Sequence, residues 1–193
     1  MKTGKSKILA FAGSTRVDSF NNKLVKIAAS GARAAGAQVT CLDLRDLPMP
    51  IYDGDLEIQQ GLSDNVKKFR ALLMGHDGLL ISAPEYNSGV SGVLKNAIDW
   101  ASRPLPGEAP LACFTGKVAV LMSASPGVLG GLRGLVQVRS ILSNIQVLVL
   151  SQQMAIPKAD EAFNADGTLR DVKQQDAIEA LGSSLAEILI KLK

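Results

Sequence analysis

Apolar residues gather in five short runs, at residues 8–12, 38–42, 78–83, 118–123 and 146–150. Near-continuous apolar runs of this length read as strands buried on both faces, the condition of a parallel sheet. The segments between them carry helical periodicity. The first starts from Ser19 as N-cap, presents Leu24, Val25, Ala28, Ala32 and Ala35 on one face and stops at Gly36. A second starts near Ser63 and carries Val66, Phe69, Leu72 and Leu73, and a third carries Val93, Leu94, Ala97, Ile98 and Ala101. A fourth begins around Gly131 and uses Leu132, Leu135, Val136, Ile141 and Leu142; the last sets Ile178, Leu181, Leu185, Ile188 and Leu192 in one amphipathic stripe.

Strand followed by helix five times over predicts right-handed crossovers and hence an α/β fold, a five-stranded parallel sheet with helices on both faces in a three-layer sandwich. Residues 104–116 and 157–171 lack periodicity and contain Pro, Gly and an Asp166-Gly167 turn. They read as surface loops rather than linkers, so the whole chain, 1–193, is expected to form one domain. In such a sheet, ligands bind beyond the carboxyl ends of the strands where strand order reverses. The loops after strands one, three and four are therefore where chemistry is expected.

Composition excludes several classes. A chain of 193 residues, 47% hydrophobic, can bury one substantial core. Lys and Arg number 21 against 18 Asp and Glu, and the resulting +3, without a basic run, argues against a nucleic-acid partner. No run approaches the ~18 apolar residues of a membrane span. The apolar run at 8–12 is also shorter than a signal-peptide core of about 7 residues, so a cytoplasmic location is expected. Cys41 and Cys113 have neither CxxC spacing nor a His-rich neighbourhood and read as core thiols, leaving no metal site in view. His76, the one histidine, sits just ahead of a strand and reads as a turn residue, which removes Ser-His-Asp catalysis.

The first of the three loops packs Gly13, Ser14, Thr15, Arg16, Ser19, Phe20, Asn21 and Asn22 into a strand-to-helix turn. Backbone N–H groups and about half a positive charge at a helix N-terminus form an anion site. Ser14, Ser19 and Asn21 can add side-chain donors and Arg16 a charge-assisted one. Neither GxxxxGK[ST] nor GxGxxG occurs, so the standard ATP and dinucleotide loops lose their support. The second loop, Pro84-Glu85-Tyr86-Asn87-Ser88-Gly89, offers an aromatic face, an amide edge and close backbone approach, which suits a flat ring with polar edges such as an isoalloxazine.

Gly13-Ser14-x-Arg16 with Ser19 and Asn21, then Pro84-Glu85-Tyr86-Asn87, then Leu94-Lys95-Asn96-Ala97-Ile98-Asp99-Trp100, resembles the NADPH-dependent FMN reductase family, over roughly residues 6–192. The resemblance implies a flavodoxin-like sheet of order 2-1-3-4-5 and FMN as cofactor, with NADPH or NADH as electron donor. It implies that Ser14, Arg16, Ser19 and Asn21 hold the phosphate with the Phe20 backbone, and that Pro84, Glu85, Tyr86 and Asn87 border the ring. After strand four, Ser123-Ala124-Ser125-Pro126-Gly127-Val128-Leu129-Gly130-Gly131 resembles the family's third flavin loop, with Ser123, Gly127 and Gly130 implied as its contacts. Because the flavin carries the hydride chemistry, no catalytic acid or base is expected, and Glu85 is expected to make a structural or subunit contact.

Ping-pong turnover is implied, passing electrons to a small-molecule acceptor, whether free flavin, quinone, azo compound or chromate. The main alternative is a flavodoxin-type electron carrier, whose acidic docking surface a chain at net +3 lacks. Asp99 is expected to pair with both Lys95 and Arg103 at four-residue spacing. Trp100 reads as core or subunit interface, and its apolar surface with that of residues 104–110 leads to the expectation of a homodimer or homotetramer.

Overall fold

The computed structural model describes residues 4–192. Its sheet consists of β1 (Lys7–Ala12), β2 (Gln38–Leu42), β3 (Gly78–Ser82), β6 (Val118–Ala124) and β7 (Leu148–Ile156), every neighbouring pair parallel. Between β3 and β6 in the chain lies a separate antiparallel hairpin, β4 (Glu85–Tyr86) and β5 (Gly89–Val90). The sheet order is β2-β1-β3-β6-β7, which is 2-1-3-4-5 when its five strands are counted alone, the flavodoxin-like arrangement.

The helices are α1 (Phe20–Ala34), α2 (Gly54–Gln60), α3 (Asp64–Met74), α4 (Gly92–Ala101), α5 (Leu132–Asn144), α6 (Ala159–Ala162) and α7 (Val172–Lys191). Three begin at serine caps: the hydroxyls of Ser19, Ser63 and Ser91 accept from the N–H groups of Asn22, Val66 and Leu94. On β1, Ile8, Ala10 and Ala12 face the α1 and α7 layer, while Leu9 and Phe11 face α3, α4 and α5. That two-residue alternation, apolar in both directions, is why the strand reads as an unbroken apolar run.

Helices α1 and α7 touch backbone to backbone. A Cβ placed on Gly31 would lie 2.0 Å from Glu179 O, and one on Gly182 would lie 1.8 Å from Ala28 O. Ser183 Oγ seals the crossing with a hydrogen bond to Gly31 O at 3.1 Å. Only glycine permits that approach.

Several expectations need correction. Strand β2 is the sheet's edge, none of its residues is buried, and Cys41 on it is exposed, so only Cys113 is a core thiol. The fifth strand begins two residues late and runs to Ile156, with a bulge that sets Ala119 opposite Val149 but Leu121 opposite Gln153. As the other edge it tolerates Ser151, Gln152 and Gln153, which an apolar pattern would not include. Residues 157–171 are not simply surface loop: α6 lies there, and Phe163 and Leu169 are buried. Trp100 is core, donating from Nε1 to Pro50 O at 2.7 Å against the edge of Tyr52, and so offers no surface to a partner. Arg103 pairs with Glu57 and leaves Asp99 to Lys95 alone among the described residues. His76 is a turn residue as expected, its two ring nitrogens bonded to Leu72 O and Thr40 Oγ1.

Candidate functional site

Gly13 follows β1 and is held from two sides, its N–H donating to Ser82 O at 2.9 Å and its carbonyl accepting from Ser91 Oγ at 2.6 Å. A Cβ there would fall 2.7 Å from Leu94 Cβ, so the turn after β1 is pressed against the start of α4 in a way glycine alone allows. Beyond it the hydroxyls of Ser14 and Ser19, both buried, accept from the N–H groups of Arg16 and Asn22 at 3.3 Å each. Each hydroxyl keeps its proton for donation to a ligand. The N–H groups of Phe20 and Asn21 have no partner among the described residues, and no acidic residue occupies the first turn of α1. Free N–H groups and the positive end of the helix dipole at this terminus suit an anion.

Arg16 is exposed, its guanidinium 6.0 Å from the centre of the Phe20 ring, with no ion-pair partner among the described residues. Asp18 is occupied by Lys23 at 2.6 Å; that hydrogen bond and charge, with a smaller effect from Arg16, hold its carboxyl below the ordinary aspartate range.

Asn21 has a different job from the one the sequence suggests. Its amide is buried, donating to Ala124 O at 2.8 Å and accepting from Ala124 N–H at 3.0 Å and Ser82 Oγ at 2.8 Å. The side chain therefore rivets the first turn of α1 to the ends of β3 and β6, leaving its backbone N–H for an anion.

The second wall is the β4–β5 hairpin. Asn87 and Ser88 both have positive φ, 52° and 65°, as a two-residue type I′ turn demands. Pro84 is buried at its base, whereas Tyr86 is 51% exposed. The Glu85 side chain is only 8% exposed; Oε1 accepts from Arg133 Nε and Nη2 at 3.0 and 2.7 Å, and Oε2 from Gly134 N–H at 3.0 Å. Burial alone would raise this carboxyl, but the bonds from Gly134 and Arg133, with the arginine's charge, outweigh it and hold the group below its ordinary value of 4.5. Glu85 is thus a structural cap on α5, and only its main chain is left for a ligand.

The third wall, the turn after β6, is shifted relative to expectation. Ser123 lies within β6 and is fully buried under Gly131, where a Cβ would sit 2.0 Å from Ser123 Oγ. Gly130 is packed on the end of β7, where a Cβ would sit 2.7 Å from the carbonyl carbon of Ile156. Gly127 is exposed on the turn. Within the same segment it is Ala124, Ser125 and Pro126, rather than the three positions singled out as contacts, that line the cleft, together with Ser14, Arg16, Ser19, Phe20, Asn21, Pro84, Glu85 and Tyr86. The missed signal was the strand's length: β6 runs to Ala124, so the first free positions are 125 and 126.

A neighbouring recess beyond Thr15, between Leu44, Leu47, Met49 and Val93, presents hydrocarbon. The Asn96 amide there is committed to Tyr52 N–H and Pro50 O.

A parallel sheet of this order, with a helix terminus of free N–H groups after its first strand and a hairpin carrying an exposed tyrosine after its third, defines a flavodoxin-like protein. The profile of the NADPH-dependent FMN reductase family matches residues 6–161. The chain is 36% identical to the NAD(P)H-dependent FMN reductase of Pseudomonas aeruginosa over 174 residues, 90% of this chain and 89% of the relative. It is 34% identical to the quinone reductase of Escherichia coli K12 over 148 residues, 77% and 75% of the two chains. Among solved structures, the flavoenzyme NAD(P)H:(acceptor) oxidoreductase of Paracoccus denitrificans superposes with a TM-score of 0.80 at 27% identity, covering 96% of this chain and 98% of that one. The chain belongs to the NADPH-dependent FMN reductase family. It is an oxidoreductase that uses FMN and a reduced nicotinamide donor.

Proposed function

We propose that the protein binds FMN in the cleft between the β1–α1 turn, the hairpin and the turn after β6. There, on this reading, it runs a ping-pong cycle from NAD(P)H to a small acceptor such as free flavin, a quinone, an azo compound or chromate. The observation that carries the assignment is the convergence of all three turns on one cleft that offers donors at one end and an exposed aromatic residue at the other. Ser14, Ser19, Arg16 and the N–H groups of Phe20 and Asn21 would hold the phosphate. Pro84, Tyr86, Asn87 and the Glu85 main chain would border the ring, and Ser125, Pro126 and Gly127 would close the third side. Bound FMN supplies the hydride acceptor and donor; the residues bind, orient and exclude water, and no side-chain acid or base is assigned.

Self-association as a homodimer or homotetramer belongs to the same proposal. Its support is the exposed apolar group Val128, Leu129, Leu132 and Val136, which starts in the turn after β6 and continues along α5. Two free cysteines, one of them exposed, fit a reducing compartment such as the cytoplasm. Among the described residues no helix is long and apolar enough to cross a membrane.

Anaerobic stopped-flow mixing of the FMN-loaded protein with NADPH or NADH tests the cycle. Rapid loss of the oxidised-flavin absorbance, restored by a second mix with quinone, is expected. Bound FMN that neither donor bleaches would leave an electron carrier instead.

A further inference from the structure

The hairpin that walls the ring side of the cleft belongs to no larger sheet, and a two-stranded hairpin of this length has little stability of its own. It is held by α5. At its base Glu85 is bonded to Arg133 and Gly134 N–H, as described above. On the returning strand the Gln137 amide reads the backbone in both senses: Oε1 accepts from Val90 N–H, opposite Glu85, and Nε2 donates to Ser88 O at the tip, each at 3.1 Å. The two elements are in direct contact: a Cβ on Gly134 would lie 3.3 Å from Glu85 Cβ, and one on Gly89 would touch Gln137 Oε1 at 3.4 Å.

Ser88 is the residue whose conformation most needs support. It holds φ 65° at the second central position of a turn that prefers glycine there, and Gln137 grips its carbonyl. Gln137 itself is exposed on α5 and belongs to no core cluster.

We infer that Gln137 is a positioning residue for the cofactor cleft: by tethering Ser88 and Val90 it fixes the tip that carries Tyr86 and Asn87, so that the ring-side wall is in place before a ligand arrives. The inference rests on the FMN-binding reading above. Without the tether, ordering of the tip is charged to binding, and ligand affinity falls by the strength of the two lost hydrogen bonds.

The test uses the full-length apoprotein and measures FMN dissociation constants by flavin fluorescence quenching, alongside thermal midpoints and amide exchange of residues 85–90. Gln137→Ala is expected to bind FMN about 5- to 150-fold more weakly, from two neutral hydrogen bonds, with the midpoint unchanged and exchange in the hairpin accelerated. Gln137→Glu, which keeps the bond from Val90 N–H but cannot donate to Ser88 O, should fall between Gln137→Ala and the unaltered chain. Ser140→Ala, one turn on along α5, should match the unaltered chain. An affinity for Gln137→Ala within twofold of the unaltered protein overturns the inference, whatever the exchange shows. So does a loss of affinity accompanied by a parallel loss of thermal stability. Failure of the unaltered protein itself to bind FMN would instead remove the cofactor reading on which the inference stands.

Discussion

Replacing Asn21 with alanine removes three buried hydrogen bonds at once. Ser82 Oγ and both the N–H and the carbonyl of Ala124 lose their amide partner, in a place where Ser82 is 0% and Ala124 3% exposed. Taking about 1 kcal/mol for each, the low end for a buried group left unpaired, gives a loss of about 3 kcal/mol. Against the 5 to 15 kcal/mol typical of a folded domain that is a large fraction. At roughly 2 to 4 °C per kcal/mol for a chain of this size, the thermal midpoint should drop by about 6 to 12 °C. Asn21→Asp is a sharper probe: one carboxylate oxygen can still accept from Ser82 and Ala124 N–H, but the other then faces the Ala124 carbonyl, so the loss should be as large. Urea titrations followed by far-ultraviolet circular dichroism measure both. A loss below 1 kcal/mol for Asn21→Ala would mean that water replaces the amide and that the rivet between α1 and the strand ends does not exist.

Arg16→Ala should do the opposite, leaving stability unchanged while weakening FMN by about 10- to 150-fold, the worth of one charged hydrogen bond; a quenching titration that finds equal affinities removes Arg16 from the phosphate site. Gly131→Ala combines a φ of 95° with a Cβ 2.0 Å from Ser123 Oγ and should cost at least about 2 kcal/mol in a denaturation experiment. Because the Glu85 carboxyl is held below 4.5, its contribution to stability is complete above that pH and is lost as the pH falls further, through the folded value. Glu85→Gln should therefore be less stable at neutrality and show a flatter acid limb, and parallel acid limbs in the two proteins would refute the assignment. A sizing experiment with light scattering should find more than one chain per particle, with the Val136→Glu variant shifted towards the monomer.

The layer order and the helix starts were legible because they rest on local signals. Ser19 and Ser63 lie where a cap must, and Gly131 opens α5 with a positive φ. The position of the cleft was legible too, since strand-end loops in a sheet of this order have one place to converge. What each side chain does there was not. Asn21, Glu85 and Ser123 have the same polar character as Ser14 or Arg16, yet their partners are the ends of β3 and β6, the start of α5 and the underside of Gly131, contacts 48 to 103 residues away in the chain for the first two. Edge status was hidden for the same reason: Gln38–Leu42 reads as apolar, but which strand has a neighbour on both sides depends on the order of the whole sheet. α2 buries no residue and so leaves no periodic trace.

The glycine crossing of α1 and α7 places two helices where neither can slide or rotate without collision, because their backbones are already in contact. The turn after β1, proposed above to hold the phosphate, leads directly into one of them. One end of the cleft is therefore built like a vice jaw bolted to the frame, while the other end is a hairpin attached through a handful of side chains. Sequence change on the hairpin and along the outer face of α5 can therefore accumulate without disturbing the turn that follows β1. Substitutions at Gly31 or Gly182, far from the cleft, would force the two helices apart and so shift the turn that grows from α1.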